Sequence, residues 1–201
     1  MAGTATRFDS TKIRAGSIGQ LWAGLAVPAA SGRLSLWTDG TPDATANPSA
    51  KHLGHTAAGT TLTLGFTVTD HFVDETPFPV KTSSDTTSMS MSGALVQVQD
   101  EEMLKIITAN IGTYSTAAGY KQFTIGAFSS LSYTSAALIF PTEADPTKFA
   151  VFHIYNGMNT NGMTFAVDRK GRSETPFTIT GYALTARAQS DQVGNYWWQT
   201  A

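Results

Sequence analysis

Apolar and polar residues alternate with a period of two along much of this chain, and the cleanest stretch lies between Thr61 and Thr69. Leu62, Leu64, Phe66 and Val68 are separated there by Thr61, Thr63, Gly65, Thr67 and Thr69, which predicts a β-strand with one buried face and one polar face. Residues 70–86 read as a loop, because Pro77 and Pro79 cannot donate to a β-ladder and restrict the residues before them. In the strand that follows, Thr87, Met89 and Met91 alternate with serines, while Val96 and Val98 carry the pattern on even positions. That slip predicts a β-bulge at Gly93. Asp100 is placed to cap a short α-helix over residues 100–110, with Glu101 and Glu102 in its first turn and Met103, Leu104 and Ile107 on one face. A helix of about three turns is marginal by itself, so it is expected to pack on a sheet.

The flanking pattern is also β-like. Residues 17–37 predict a hairpin, with a strand over 21–27, a turn at Ala30, Ser31 and Gly32, and a return through Leu34, Leu36 and Trp37. Residues 38–50 form a turn-rich loop with no apolar side chain larger than alanine, expected to order only against a neighbour. Further strands are predicted at 121–127, 131–140, 149–155, 163–168 and 177–187, with Asn156-Gly157 and Asn161-Gly162 bracketing one hairpin connection. The 149–155 strand is apolar on both faces, which places it centrally or at a subunit boundary. The expected architecture is mainly β: a β-sandwich or barrel-like domain over residues 17–188, an N-terminal arm over 1–16 and a C-terminal arm over 189–201.

Composition adds constraints on partners. Charged residues make up 14% of the 201 residues, against about 25% in an average globular protein, and Ala, Gly, Ser and Thr take their place. A surface so weakly charged points to burial against other protein, the alternative being a Ser/Thr-coated monomer. A net charge of −2 argues against a protein that grips nucleic acid. The absence of cysteine removes disulfides, thiolate nucleophiles and zinc-thiolate sites. An apolar run over 21–30 imitates a signal peptide but carries Gly24 and follows Gln20, so it reads as a strand after a polar arm. No run approaches the roughly 18 apolar residues of a membrane span.

Candidate chemistry is sparse. No nucleophile-elbow, P-loop, dinucleotide-binding or zinc-protease pattern occurs. His52 and His55 lie three apart, a spacing that on a regular strand sends them to opposite faces. Asp70 and His71, with Asp74 and Glu75 nearby, form the best acid/base group, and a solvated strand exit is its ordinary meaning. No catalytic residue, cofactor or metal is expected. Arg169, Lys170 and Arg172 make a basic turn, either solvated or paired with an acidic loop of an adjacent subunit. Phe78, held between Pro77 and Pro79, would lose little entropy on docking. In the N-terminal arm, Phe8 and Ile13 with Arg7, Lys12 and Arg14 supply apolar anchors and charges for a neighbour. Tyr196, Trp197 and Trp198 would stack on sugars, anchor an arm in a neighbouring subunit, or cap the core.

The run Leu53-Gly54-His55-Thr56-Ala57-Ala58-Gly59-Thr60-Thr61-Leu62-Thr63, followed by Val73-Asp74-Glu75 and Pro79-Val80, a strand and a helix with an acidic start, resembles the major tail tube proteins of long-tailed bacteriophages. The likeness extends upstream to Gly19-Gln20-Leu21-Trp22-Ala23-Gly24 and covers roughly half the chain by pattern. The resemblance implies a structural virion protein, assembled in the host cytoplasm. Hexameric rings would stack into a tube, double-stranded DNA would pass through its lumen as transient cargo, and tape-measure and tail-terminator proteins would be partners. The alternative is a monomeric β-sandwich module that binds carbohydrate through Trp22, Trp37 or the C-terminal tryptophans.

Overall fold

The computed structural model describes residues 19–30, 32–56, 60–71, 78, 81–95, 112–125, 132–142, 145–162 and 174–200. Ten strands occur among them: β1 (Gln20–Ala23), β2 (Lys51–His55), β3 (Thr61–His71), β4 (Lys81–Leu95), β5 (Gly112–Ala117), β6 (Tyr120–Ile125), β7 (Thr134–Pro141), β8 (Phe149–Asn159), β9 (Thr175–Gly181) and β10 (Gly194–Trp198). Eight build one antiparallel open sheet in the order β2-β1-β7-β8-β9-β4-β3, with β10 paired to β8. Strands β5 and β6 form a separate hairpin, turned at Gly119 with φ +88°. The chain is therefore mainly β, as its alternation predicts.

The sheet curls. Leu21 and Leu53, near one end of the strand order, line the same small internal space as Phe177 and Ile179 of β9. A single bridge, Thr56 to Leu95, joins the end of β2 to the end of β4. Leu21, Leu53, Met91, Leu95, Leu138, Phe152, Ile154 and Phe177 fill the inner face of the curl. Leu25, Leu34, Ala137, Ile139 and Val151 pack on the outer face. Strand β8 alternates between these two cores, so it is buried on both sides and sits centrally, between β7 and the pair β9 and β10. Removing so much apolar surface from water is the main driving force for this arrangement.

Several local expectations are corrected. No bulge occurs at Gly93, which pairs in register with Phe177 while Met89, Met91 and Leu95 keep one buried face. A Cβ at Gly93 would lie 3.3 Å from two atoms of the Phe177 ring, so the glycine makes room for an aromatic partner rather than for a slip. The β3–β4 irregularity falls instead between Thr67 and Val68, opposite Thr86 and Ser84. Residues 70, 71 and 81–86 belong to strands, which narrows the predicted 70–86 loop. The 17–37 hairpin does not form. Gly24, at φ +69° and close against the Ser49 carbonyl, ends β1, and the chain crosses the outer face, where Leu25 and Leu34 are buried. Asn156-Gly157 is not a turn either, because Gly157 is buried inside β8 against Ile179.

The 38–50 loop needs no neighbour to be held. Asp39 and Asp43 accept hydrogen bonds from the backbone of Thr41 and Thr45, and buried Asn47 accepts from Ala26 N at 3.1 Å while donating to Asp43 O. The two Thr41 bonds hold the Asp39 carboxyl below its ordinary pKa. The predicted helix over 100–110 and the strand over 163–168 lie outside the described residues.

Candidate assembly surface

Strands β3 and β4 run as partners from Thr61 opposite Ser92 to His71 opposite Lys81. Strand β4 meets β9 only from Ser90 to Leu95, so from about Leu64 onward no third strand pairs with β3 or β4 among the described residues. The remaining eight residues of β3, Leu64 to His71, extend roughly 25 Å at the usual rise per residue. Leu62, opposite Met91, still packs on the inner core. Leu64 and Phe66 continue the same face but are 64% and 75% exposed. The periodicity thus marks one apolar face correctly, while the expected burial fails beyond Leu62, where no described strand flanks the pair. An edge strand with exposed Leu and Phe side chains is a template for association unless it is covered or charged.

Phe78, between the ends of β3 and β4, is 74% exposed, as the stiff-loop reading expects. Its neighbours Pro77 and Pro79 lie outside the described residues, as do Asp74, Glu75, Arg7, Phe8, Lys12, Ile13, Arg14, Arg169, Lys170 and Arg172. Asp70 and His71 are exposed at the far end of β3.

The C-terminal arm is replaced by a strand. Residues 194–198 pair antiparallel with Ala150 to Ile154 of β8, so Tyr196, Trp197 and Trp198 belong to the protomer's own sheet. Tyr196 packs on the inner core and Trp197 on the outer one, whereas Trp198 is 52% exposed. Alternation sends Trp197 to the face opposite Tyr196 and Trp198, whose ring centroids lie 5.7 Å apart. Of the three roles open to it, core capping fits Tyr196 and Trp197.

The outer face also holds a polar cluster that the sequence does not single out. Tyr155 donates to Asp191 Oδ1 at 3.0 Å, and burial together with that bond raises the phenol pKa to about 12. Arg187 pairs with Asp191, lies 4.7 Å over the Tyr155 ring and donates to Pro28 O at 2.7 Å. These contacts tie the 182–191 turn to the coil crossing the sheet, in a segment expected to be strand as far as Arg187 but ending as β9 at Gly181. Arg187→Ala should cost about 2–3 kcal/mol, because it leaves a partly buried carboxylate and a carbonyl short of donors. Chemical denaturation measures this, and a loss below about 0.5 kcal/mol would reduce the cluster to an ordinary surface pair. Beside it, His153 is fully buried on β8, and neither ring nitrogen has a hydrogen-bond partner among the described residues.

His52 and His55 require the opposite assignment from the one their spacing predicts. The pairing Leu21 to Gly54 and Trp22 to His52 leaves Leu53 as an extra residue in β2, with Gly54 at φ 122°. This bulge buries Leu53 and Gly54 together and returns both histidines to the exposed face, with ring centroids 5.1 Å apart. Among the described residues, no group of three or more His, Asp or Glu side chains is placed to hold a metal ion. No described helix is long and apolar enough to cross a membrane. No protein-family model matches the chain, and no curated protein matches it.

Proposed function

We propose that this chain is a structural, non-catalytic subunit that self-associates into stacked hexameric rings, forming the tail tube of a bacteriophage virion. The observation that carries this reading is the β3–β4 ribbon, which runs beyond the other described strands of the sheet, with Leu64 and Phe66 exposed on β3. A second copy that covers this face would bury the Leu64 and Phe66 side chains. The low charge content of the chain supports the same reading, as does the sequence likeness in the β2–β4 region. A lumen lined by Ser, Thr and acidic groups rather than cations would let DNA pass without salt-sensitive traps. Tape-measure and tail-terminator proteins would then cap and gauge the assembly.

Negative-stain microscopy of the purified protein tests the proposal. Rings or tubes are expected from the wild type. The double variant Leu64→Ser, Phe66→Ser should give folded protomers with an unchanged circular dichroism spectrum but no tubes, since both side chains lie outside the core. A wild type that stays monomeric at high concentration and binds a glycan array would overturn the proposal in favour of the recognition module. Normal tubes from the double variant would remove the ribbon from the interface.

A further inference from the structure

We propose that His52 and His55, brought together by the bulge at Leu53 and Gly54, form a surface site for a divalent transition-metal ion such as Cu²⁺, Ni²⁺ or Zn²⁺. The site does not depend on the assembly reading. A metal bound at about 2.0–2.1 Å to an imidazole nitrogen lies about 3.2 Å from the ring centroid, so two rings on a tetrahedral centre have centroids about 5.2 Å apart. The observed separation is 5.1 Å, with the rings at 77°. Side-chain rotation that keeps this separation would aim a nitrogen of each ring at one ion.

The surroundings suit such an ion. Both histidines are exposed, so a hydrated cation reaches them without opening the fold. Gln20 pairs with His55 and Trp22 with His52 across the β1–β2 ladder, which puts an amide oxygen on the same face. At present Gln20 Oε1 accepts from Trp22 Nε1 at 3.2 Å, so it has a lone pair to spare as a third ligand, with water completing the shell. Imidazole and amide donors favour Cu²⁺ and its neighbours over Mg²⁺ or Ca²⁺. The Trp22 ring, 4.7 Å from His52, supplies an optical report.

The test is titration of the full chain with CuCl₂, NiCl₂ and ZnCl₂ in a non-coordinating buffer near neutral pH, followed by calorimetry and tryptophan fluorescence. One ion per chain in the micromolar range is expected, tightest for Cu²⁺ and accompanied by quenching. His52→Ala and His55→Ala should each weaken binding by about tenfold or more, because a single imidazole forfeits the chelate. Trp22→Phe should abolish most of the quenching while keeping the heat, and His71→Ala should change neither. Acidification should release the ion, because protons compete with a metal for imidazole nitrogen. Absence of saturable uptake, or wild-type affinity in both the His52 and His55 variants, overturns the proposal.

Discussion

The urea midpoint of this protein should fall steeply between pH 6.5 and pH 4, and His153→Leu should flatten that fall. His153 is fully buried on β8, and burial, reinforced by Arg187, lowers its pKa from 6.5 to about 4. The folded chain therefore keeps a neutral imidazole where the unfolded chain takes up a proton. With a depressed folded pKa, the contribution of this group is fully present above pH 6.5 and is lost as pH falls towards 4. At 1.36 kcal/mol per pH unit, the interval from 6.5 to about 4 corresponds to about 3 kcal/mol. Tyr155 and Asp191 face the same cluster. Neither is placed to compensate, since Tyr155 stays protonated through this range and Asp191 is engaged by Arg187 and Tyr155. Because both ring nitrogens lack partners among the described residues, an apolar replacement forfeits no hydrogen bond and should fold well at neutral pH. Equal pH slopes for wild type and His153→Leu would show that other groups dominate acid unfolding.

Phe177→Ala should lower stability by about 3–5 kcal/mol, measured by chemical denaturation. Phe177 is 1% exposed, lies in the inner core and covers Gly93 across the β4–β9 ladder. Truncation opens a cavity beside a glycine, which has no side chain to collapse into it. The same contact joins the ribbon-bearing strand β4 to the rest of the sheet. Loss on this scale is a large share of the roughly 5–15 kcal/mol that holds a domain folded. Adding a methyl group in Gly93→Ala should cost less, because its approaches of 3.0 Å to Thr60 Oγ1 and 3.3 Å to the Phe177 ring ask for shifts of only a few tenths of an ångström. A Phe177→Ala variant within about 1 kcal/mol of wild type would mean that the curl is held chiefly elsewhere.

What the sequence determined by itself is the period and the polarity of its elements. Thr61 to Thr69 alternates and is a strand; Phe149 to Tyr155 is apolar on both faces and is the central strand of the sheet. A mainly-β class follows from such local patterns, because a period of two is imposed by strand geometry whatever the strand packs against. Tertiary structure alone decided which of those faces is buried. Leu62 and Leu64 are equivalent in the alternation, yet among the described residues a third strand lies beside the partner of Leu62 and not of Leu64, and one side chain is packed while the other is exposed. The meeting of His52 and His55 turns on one extra residue in the β1–β2 register, which shows only when the two strands are laid side by side. Tyr196 to Trp198 likewise becomes sheet rather than arm because β8 has a free edge over Ala150 to Ile154, a vacancy set by where β9 stops pairing. Each of these outcomes depends on a neighbour distant in sequence, and hydrogen-bond register and burial belong to pairs of strands rather than to any one of them.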